Sequence, residues 1–224
     1  MIAPSAARAI LWDLDGVIVS SGRYHYLAYR EVLTPLGRDL SEEEYLTTLF
    51  GRRNDDILRS VLGPLREQEI GQLAAAKEAA FRRLVQGRIR PLPGAVDLLR
   101  RAREAGLGQA IVSSTPRANI DLIAATLGIG GLLDVIVGEE DVSRGKPDPQ
   151  GFLLAAQRLG VTPRQCVVIE DAPEGIVAGR AAGARTIAVA TTRPPSAFAG
   201  PAAADLVVAD LRDRRLWPFI HGAG

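Results

Sequence analysis

Asp13 and Asp15 follow the apolar run Ala9-Ile10-Leu11-Trp12 and stand immediately before Gly16. A buried strand that delivers two carboxylates at its carboxyl end makes an anionic corner with affinity for a cation. The glycine lets the backbone turn away sharply. At ~4 Å such charges repel by roughly 1 kcal/mol in water and about 4 kcal/mol at an intermediate effective dielectric, so burying the pair calls for a cation or a proton. An ordinary acidic turn after a strand uses the same residue types.

Polar groups recur at the ends of other apolar runs. Ala110-Ile111-Val112 leads into Ser113-Ser114-Thr115, and Val167-Val168-Ile169 leads into Glu170-Asp171. In Gly145-Lys146-Pro147-Asp148-Pro149 a lysine is locked between backbone breakers just ahead of a helix, where it can bind phosphate or offset carboxylates. Singly, each has another reading: Ser113 and Ser114 could cap the next helix, Lys146 could be solvated, and Glu170 with Asp171 could answer a helix dipole. Together they suit one site, because the carboxyl ends of strands in an open parallel sheet share the edge where ligands bind.

The elements that must position these groups fall into two kinds. From about residue 20 to residue 89 the spacing is helical. Tyr26, Tyr29, Val32, Leu33 and Leu36 share a face that Gly37 ends, and Ser41 with Glu44 has the form of a capping box. Asn54-Asp55-Asp56 opens a helix through Ile57 and Leu58 that Gly63-Pro64 stops, and a longer helix runs from Ile70 through Phe81 to Gly87. Beyond the stiff connector Arg90-Pro91-Leu92-Pro93-Gly94, helical and strand-like segments alternate, with strands expected at 109–112, 135–137, 167–169, 186–189 and 206–208. That alternation argues for a doubly wound α/β parallel-sheet core. The expected organisation is a catalytic core of residues 1–19 and 91–224 carrying an inserted helical domain at 20–90. Leu216, Trp217, Phe219 and Ile220 are expected to dock a terminal segment, and the Ala/Pro-rich stretch 193–204 reads as a surface loop.

A chain of 224 residues can hold one sizeable domain or a core with an insert. Its formal net charge of +1 gives no reason to expect nucleic-acid or anionic-membrane partners. The single cysteine, Cys166, excludes an internal disulfide, and with only two histidines it leaves no Cys/His zinc site. Beside an apolar run it reads as a buried, inert thiol. No apolar run approaches the roughly 18 residues of a membrane span, so a cytoplasmic monomer acting on small molecules is the expectation.

Asp13-Leu14-Asp15-Gly16-Val17, Ser113, Lys146 within Gly-Lys-Pro-Asp-Pro, and Glu170-Asp171-Ala172-Pro173-Glu174-Gly175 together resemble the four motifs of the haloacid dehalogenase superfamily. The branch is the one with a helical cap inserted after the first motif, and the resemblance runs from about Ile10 to Val208. It implies that Asp13 is the nucleophile, forming an aspartyl-phosphate, and that Asp15 is the general acid and base. It also implies Mg²⁺ held by Asp13, the Asp15 carbonyl, Glu170 and Asp171, while Ser113, Ser114 and Lys146 hold the phosphoryl group. All-oxygen ligation favours Mg²⁺ over zinc. Dehalogenases of the superfamily generally lack the second aspartate and need no metal, so Asp15 with Glu170 and Asp171 points to phosphoryl transfer. A phosphoacceptor signalling domain uses similar groups but is much shorter and lacks the helical insert.

The expected activity is therefore Mg²⁺-dependent hydrolysis of a small phosphorylated metabolite. A cap over such a site can exclude water and choose the leaving group, so His25, Arg52, Arg53, Asn54 and Lys77 are the substrate-binding candidates. Each of the charged ones could equally be solvated on a helix face. His25 and Lys77 match positions of the β-phosphoglucomutases, making a sugar-phosphate mutase the alternative. Asn54 stands where that family has an arginine, and Ser20-Ser21-Gly22 also departs from the pattern.

Overall fold

A computed structural model of the chain describes residues 6–222. Among them, one compact unit runs to Val19 and resumes at Arg90, and a second is Ser20–Ile89.

The first unit is built on parallel strands β1 (Ala9–Trp12), β2 (Gly108–Val112), β3 (Val135–Val137), β4 (Cys166–Glu170), β5 (Arg185–Val189) and β6 (Leu206–Val208). Their order is β3-β2-β1-β4-β5-β6. The chain lays strands to one side of β1 and then crosses to the other, so the crevice of such a sheet opens at the carboxyl ends of β1 and β4. Register aligns those ends. Trp12 pairs with Ile111 of β2 and with Ile169 of β4. The Asp13 N–H then donates to the Ile169 carbonyl at 2.9 Å, which brings Asp13 level with Glu170.

Both faces of the sheet are covered, which is why β1, and β4 as far as Ile169, are apolar rather than alternating. Ala9, Leu11, Ala110, Val112 and Val168 pack with Phe152, Ala155 and Ala156 of α7 (Gln150–Arg158) and with Ala178 of α8 (Pro173–Ala182). On the other face lies α5 (Ala95–Glu104), and buried Gln109 donates to its Leu99 carbonyl at 2.9 Å while accepting from Trp12 Nε1 at 3.2 Å. Helix α6 (Arg117–Leu127) follows β2. The terminal helix α9 (Leu216–His221) docks as expected through buried Leu216 and Ile220, and Arg185 donates to the Phe219 and Ile220 carbonyls.

The second unit contains α1 (Gly22–Leu33), the short α2 (Glu42–Glu44) continued by a wider turn over Tyr45–Leu49, α3 (Asn54–Leu62) and α4 (Glu67–Val85). Tyr26, Tyr29, Leu33, Leu40, Tyr45, Leu49, Ile57, Leu58 and Ile70 form its core. The Ser41 hydroxyl accepts the Glu44 N–H at 3.1 Å, the predicted half of a capping box. Two expectations need correction. Leu36 is exposed, because Pro35 removes an N–H and the chain tightens into a single turn at Thr34–Leu36 before Gly37. The 193–204 stretch is not merely a surface loop: it contains two short turns and buries Phe198 and Ala202. Among the described residues no helix is long and apolar enough to cross a membrane.

Candidate active site

The Asp13-to-Val19 turn is closed by backbone bonds. Gly16 N–H donates to the Val19 carbonyl at 2.7 Å, and the Ile18 and Val19 N–H groups return to Leu14. Gly16 has φ +89°, and a β-carbon there would meet the Asp171 carboxylate at 2.0 Å. Two constraints therefore require glycine, the left-handed backbone and the close approach of an acidic group. At Gly175 the backbone is ordinary helix, but a β-carbon would fall 2.0 Å from the Glu170 carboxyl. Both glycines leave room for carboxylates.

Asp13, Glu170 and Asp171 are buried, and a carboxylate oxygen from each lies within 4.8 Å of the others. Lys146, expected to be either solvated or part of the site, is part of it. Its Nζ sits 2.5 Å from Asp13 Oδ1 and 2.5 Å from Glu170 Oε1, and donates to the Val112 carbonyl at 3.0 Å. The peptide joining it to Pro147 is cis. Glu170 Oε2 accepts the N–H groups of Asp171 and Ala172, so Glu170 also shapes the turn into α8.

Three carboxylates against one ammonium leave the cluster anionic, and the proton affinities reflect it. Burial, joined by repulsion from Glu170, Asp171 and Asp15 and opposed by Lys146, holds the Asp13 carboxyl well above its ordinary range. Burial and Glu170 push Asp171 up to about 7, against the hydroxyl of Thr192 and the charge of Lys146. For Lys146, burial lowers the affinity but Asp13 and Glu170 more than reverse it. A buried, all-oxygen donor set that lacks positive charge fits a hard divalent cation such as Mg²⁺.

Ser113 is buried and Ser114 half-buried at the end of β2. Neither caps α6: the Ser113 hydroxyl accepts the Thr115 N–H at 3.1 Å, and Pro116 precedes the helix. Asp15 is half-buried, with its Oδ2 accepting a 2.6 Å hydrogen bond from the Thr115 hydroxyl. Cys166 is buried with its thiol pushed up to about 11 by burial, as an inert residue should be.

Sequence reasoning overlooked the threonines. After β5, Thr191 donates to the Gly16 carbonyl and Thr192 to Asp171 Oδ2, each at 2.5 Å. The missed signal is the one used elsewhere, an apolar run, 187–190, that leads into hydroxyl residues.

In the helical unit, His25, Asn54 and Lys77 come together. Lys77 Nζ lies 2.8 Å from His25 Nδ1 and 2.7 Å from Glu78 Oε1, Asn54 Nδ2 donates to Glu78 at 2.8 Å, and Tyr29 donates to Asn54 at 2.5 Å. Lys77 and His25 are thus buried rather than solvated. Arg52 is exposed, and Arg53 is half-buried and lies 3.7 Å from Asp55. Glu78 and Tyr29 were not anticipated as polar partners.

A profile of the haloacid dehalogenase-like hydrolases matches residues 7–183. The validoxylamine A 7'-phosphate phosphatase of Streptomyces hygroscopicus subsp. limoneus is 31% identical over 213 residues, 95% of this chain and 98% of that one. Hexitol phosphatase A of Escherichia coli is 37% identical over 184 residues, 81% of this chain and 82% of that one. Among solved structures, β-phosphoglucomutase from Clostridium difficile superposes with a TM-score of 0.84 at 26% identity, over 96% of this chain and 97% of that one. The chain belongs to the haloacid dehalogenase-like hydrolases, in the branch that holds phosphatases and β-phosphoglucomutases. It is an enzyme of that family, not a phosphoacceptor signalling domain.

Proposed function

We propose that the protein is an Mg²⁺-dependent phosphatase that hydrolyses a small phosphorylated metabolite, a sugar phosphate or similar organic phosphate, as a cytoplasmic monomer. The observation that carries this reading is the meeting of Asp13, Glu170 and Asp171 within 4.8 Å around the Lys146 ammonium. Two relatives named as phosphatases of small organic phosphates support it. A net charge of +1 suits neither nucleic acid nor an anionic membrane.

Asp13 attacks phosphorus in line with the leaving oxygen, and Asp15 gives that oxygen its proton as the bond breaks. The product of this step is an aspartyl-phosphate on Asp13 and the free alcohol. Asp15, now a carboxylate, takes a proton from water as it attacks the same phosphorus, releasing inorganic phosphate and restoring Asp13. Lys146, Ser113 and Ser114 hold the phosphoryl oxygens, the lysine as a point charge and the hydroxyls as donors. Mg²⁺ held by Asp13, Glu170, Asp171 and the Asp15 carbonyl would offset the negative charge of the phosphoryl group.

Substrate selection is assigned to the helical unit, with buried His25 and Lys77 and half-buried Asn54 as the inner polar set and Arg52 and Arg53 as further charges. The mutase reading draws on the same His25–Lys77 contact and on the β-phosphoglucomutase likeness. A mutase must also hold a second phosphate, and here the cap position carries Asn54 while the Lys77 charge is met by Glu78. Hydrolysis is therefore the primary reading. Phosphorylated metabolites incubated with the protein and Mg²⁺ should release inorganic phosphate. β-Glucose 1-phosphate with a trace of the bisphosphate should not yield glucose 6-phosphate beyond the bisphosphate added. Accumulation of that isomer would replace hydrolysis by mutation, and no phosphate from any ester would reject the phosphatase.

A further inference from the structure

Thr115 lies in the loop between β2 and α6 and is held from several directions. Its N–H donates to the Ser113 hydroxyl at 3.1 Å, and its carbonyl accepts the Glu139 N–H at 3.2 Å. The loop that carries Glu139 packs closely on it, since a β-carbon on Gly138 would stand 3.2 Å from the Thr115 carbonyl oxygen. The side chain is buried, and β-branching restricts its first torsion. With backbone and rotamer both constrained, the hydroxyl points at Asp15 Oδ2 at 2.6 Å. Asp15 itself is half-buried and sits on a turn whose next residue is glycine.

We infer that Thr115 is a positioning residue for Asp15, aiming its carboxyl at the leaving oxygen, so that its contribution grows with the basicity of the leaving group. This rests on the phosphatase reading above. The hydroxyl donates to one carboxyl oxygen and so leaves the transferable proton to the other. A sugar or polyol alcohol leaves as a strongly basic alkoxide unless protonated, so a misaimed acid slows its departure. A nitrophenolate departs without that help. A residue that merely keeps the loop folded would affect both leaving groups alike.

The test compares wild type, Thr115→Val, Thr115→Ala and Thr115→Ser on two esters, p-nitrophenyl phosphate and an alkyl phosphate of the metabolite panel. Alanine adds no atoms and is read beside valine in case the latter packs poorly, and thermal unfolding of each variant is recorded. The valine and alanine variants should lose roughly tenfold to a hundredfold in kcat/KM on the alkyl ester, the size expected for a lost hydrogen bond to a charged group. On p-nitrophenyl phosphate they should lose no more than about threefold in kcat/KM, the quantity that excludes the later hydrolysis of the intermediate common to both esters, because protonation of that leaving group contributes little. Serine should restore most of the alkyl-ester rate. Equal losses on both esters, or none on either, would overturn the role of Thr115 while leaving the phosphatase reading intact. A wild-type protein inactive on both esters would overturn the phosphatase reading, and this inference with it.

Discussion

The protein's two lysines are both largely removed from solvent, and their surroundings differ in one respect. Lys146, its side chain 15% exposed, faces Asp13 and Glu170 beside Asp171, an excess of anions. Lys77, 4% exposed, pairs with Glu78, whose carboxylate also accepts from Asn54, and lies over the Tyr29 ring. Its ammonium also lies 2.8 Å from His25 Nδ1, with the His25 ring stacked 3.9 Å from Phe81. Burial acts the same way on carboxylates in both places, yet the outcomes are opposite. Asp13 and Asp171 are held high, whereas for Glu78 burial is outweighed by Lys77, His25 and Asn54 and its proton affinity is lowered. A balanced set completes itself and serves rigidity. An unbalanced one is completed by what it binds.

The sharpest way to break this contrast is at Asp13, the proposed nucleophile. Asp13→Asn removes the attacking carboxylate and one of the crowded negative charges. Turnover should fall by roughly 10⁴-fold or more, the scale seen when a covalent nucleophile is lost. Because repulsion is relieved as the Lys146 contact is weakened, the unfolding midpoint should stay within roughly 4 °C of wild type. Activity that survives this change would remove Asp13 from the mechanism, and a collapse of the midpoint would show that Lys146 needs it structurally.

The next largest effect belongs to the balanced pair. Lys77→Met leaves Glu78 buried without its ammonium, and breaking a buried pair this way costs about 3–5 kcal/mol. Lys77→Met combined with Glu78→Met removes both charges and should recover most of that loss in urea unfolding. If the double variant loses as much as the two single variants together, the pair is not coupled and the contrast between the lysines fails.

Much of this arrangement was legible because strand ends carry a simple code: an apolar run that stops on polar residues. Asp13, Ser113 and Glu170 were found that way, and the register that aligns Trp12 with Ile111 and Ile169 makes the code spatial. Thr192 obeyed it and was passed over because, unlike Ser113, it belongs to none of the four motifs that carry the family resemblance. In the helical unit, pattern reading placed the core but misjudged Leu36, where one proline outweighed the helical spacing. Glu78 was invisible for a different reason. A glutamate on a long helix is ordinarily solvated, and only the three-dimensional meeting with Lys77 and Asn54 makes burial tolerable.

The smallest effect tests the imbalance itself. An unfolded aspartate titrates near 3.8 and the folded Asp171 near 7, so between those values the folded protein binds more protons than the unfolded chain. Stability of the protein in EDTA should therefore fall as pH rises through this window, by about 1 kcal/mol per pH unit between pH 5 and 7, or roughly 2–4 °C per unit, and level off above pH 8. Glu78 contributes no such slope, since a lowered carboxyl stabilises at and above its ordinary value of 4.5 and loses that contribution only on acidification. Mg²⁺ competes with the proton for the same oxygens, so the midpoint it restores should grow between pH 6 and 8 and nearly vanish at pH 5. A midpoint in EDTA that is flat from pH 5 to 8, or Mg²⁺ stabilisation independent of pH, would mean that Lys146 already balances the core cluster and that the two lysines are alike after all.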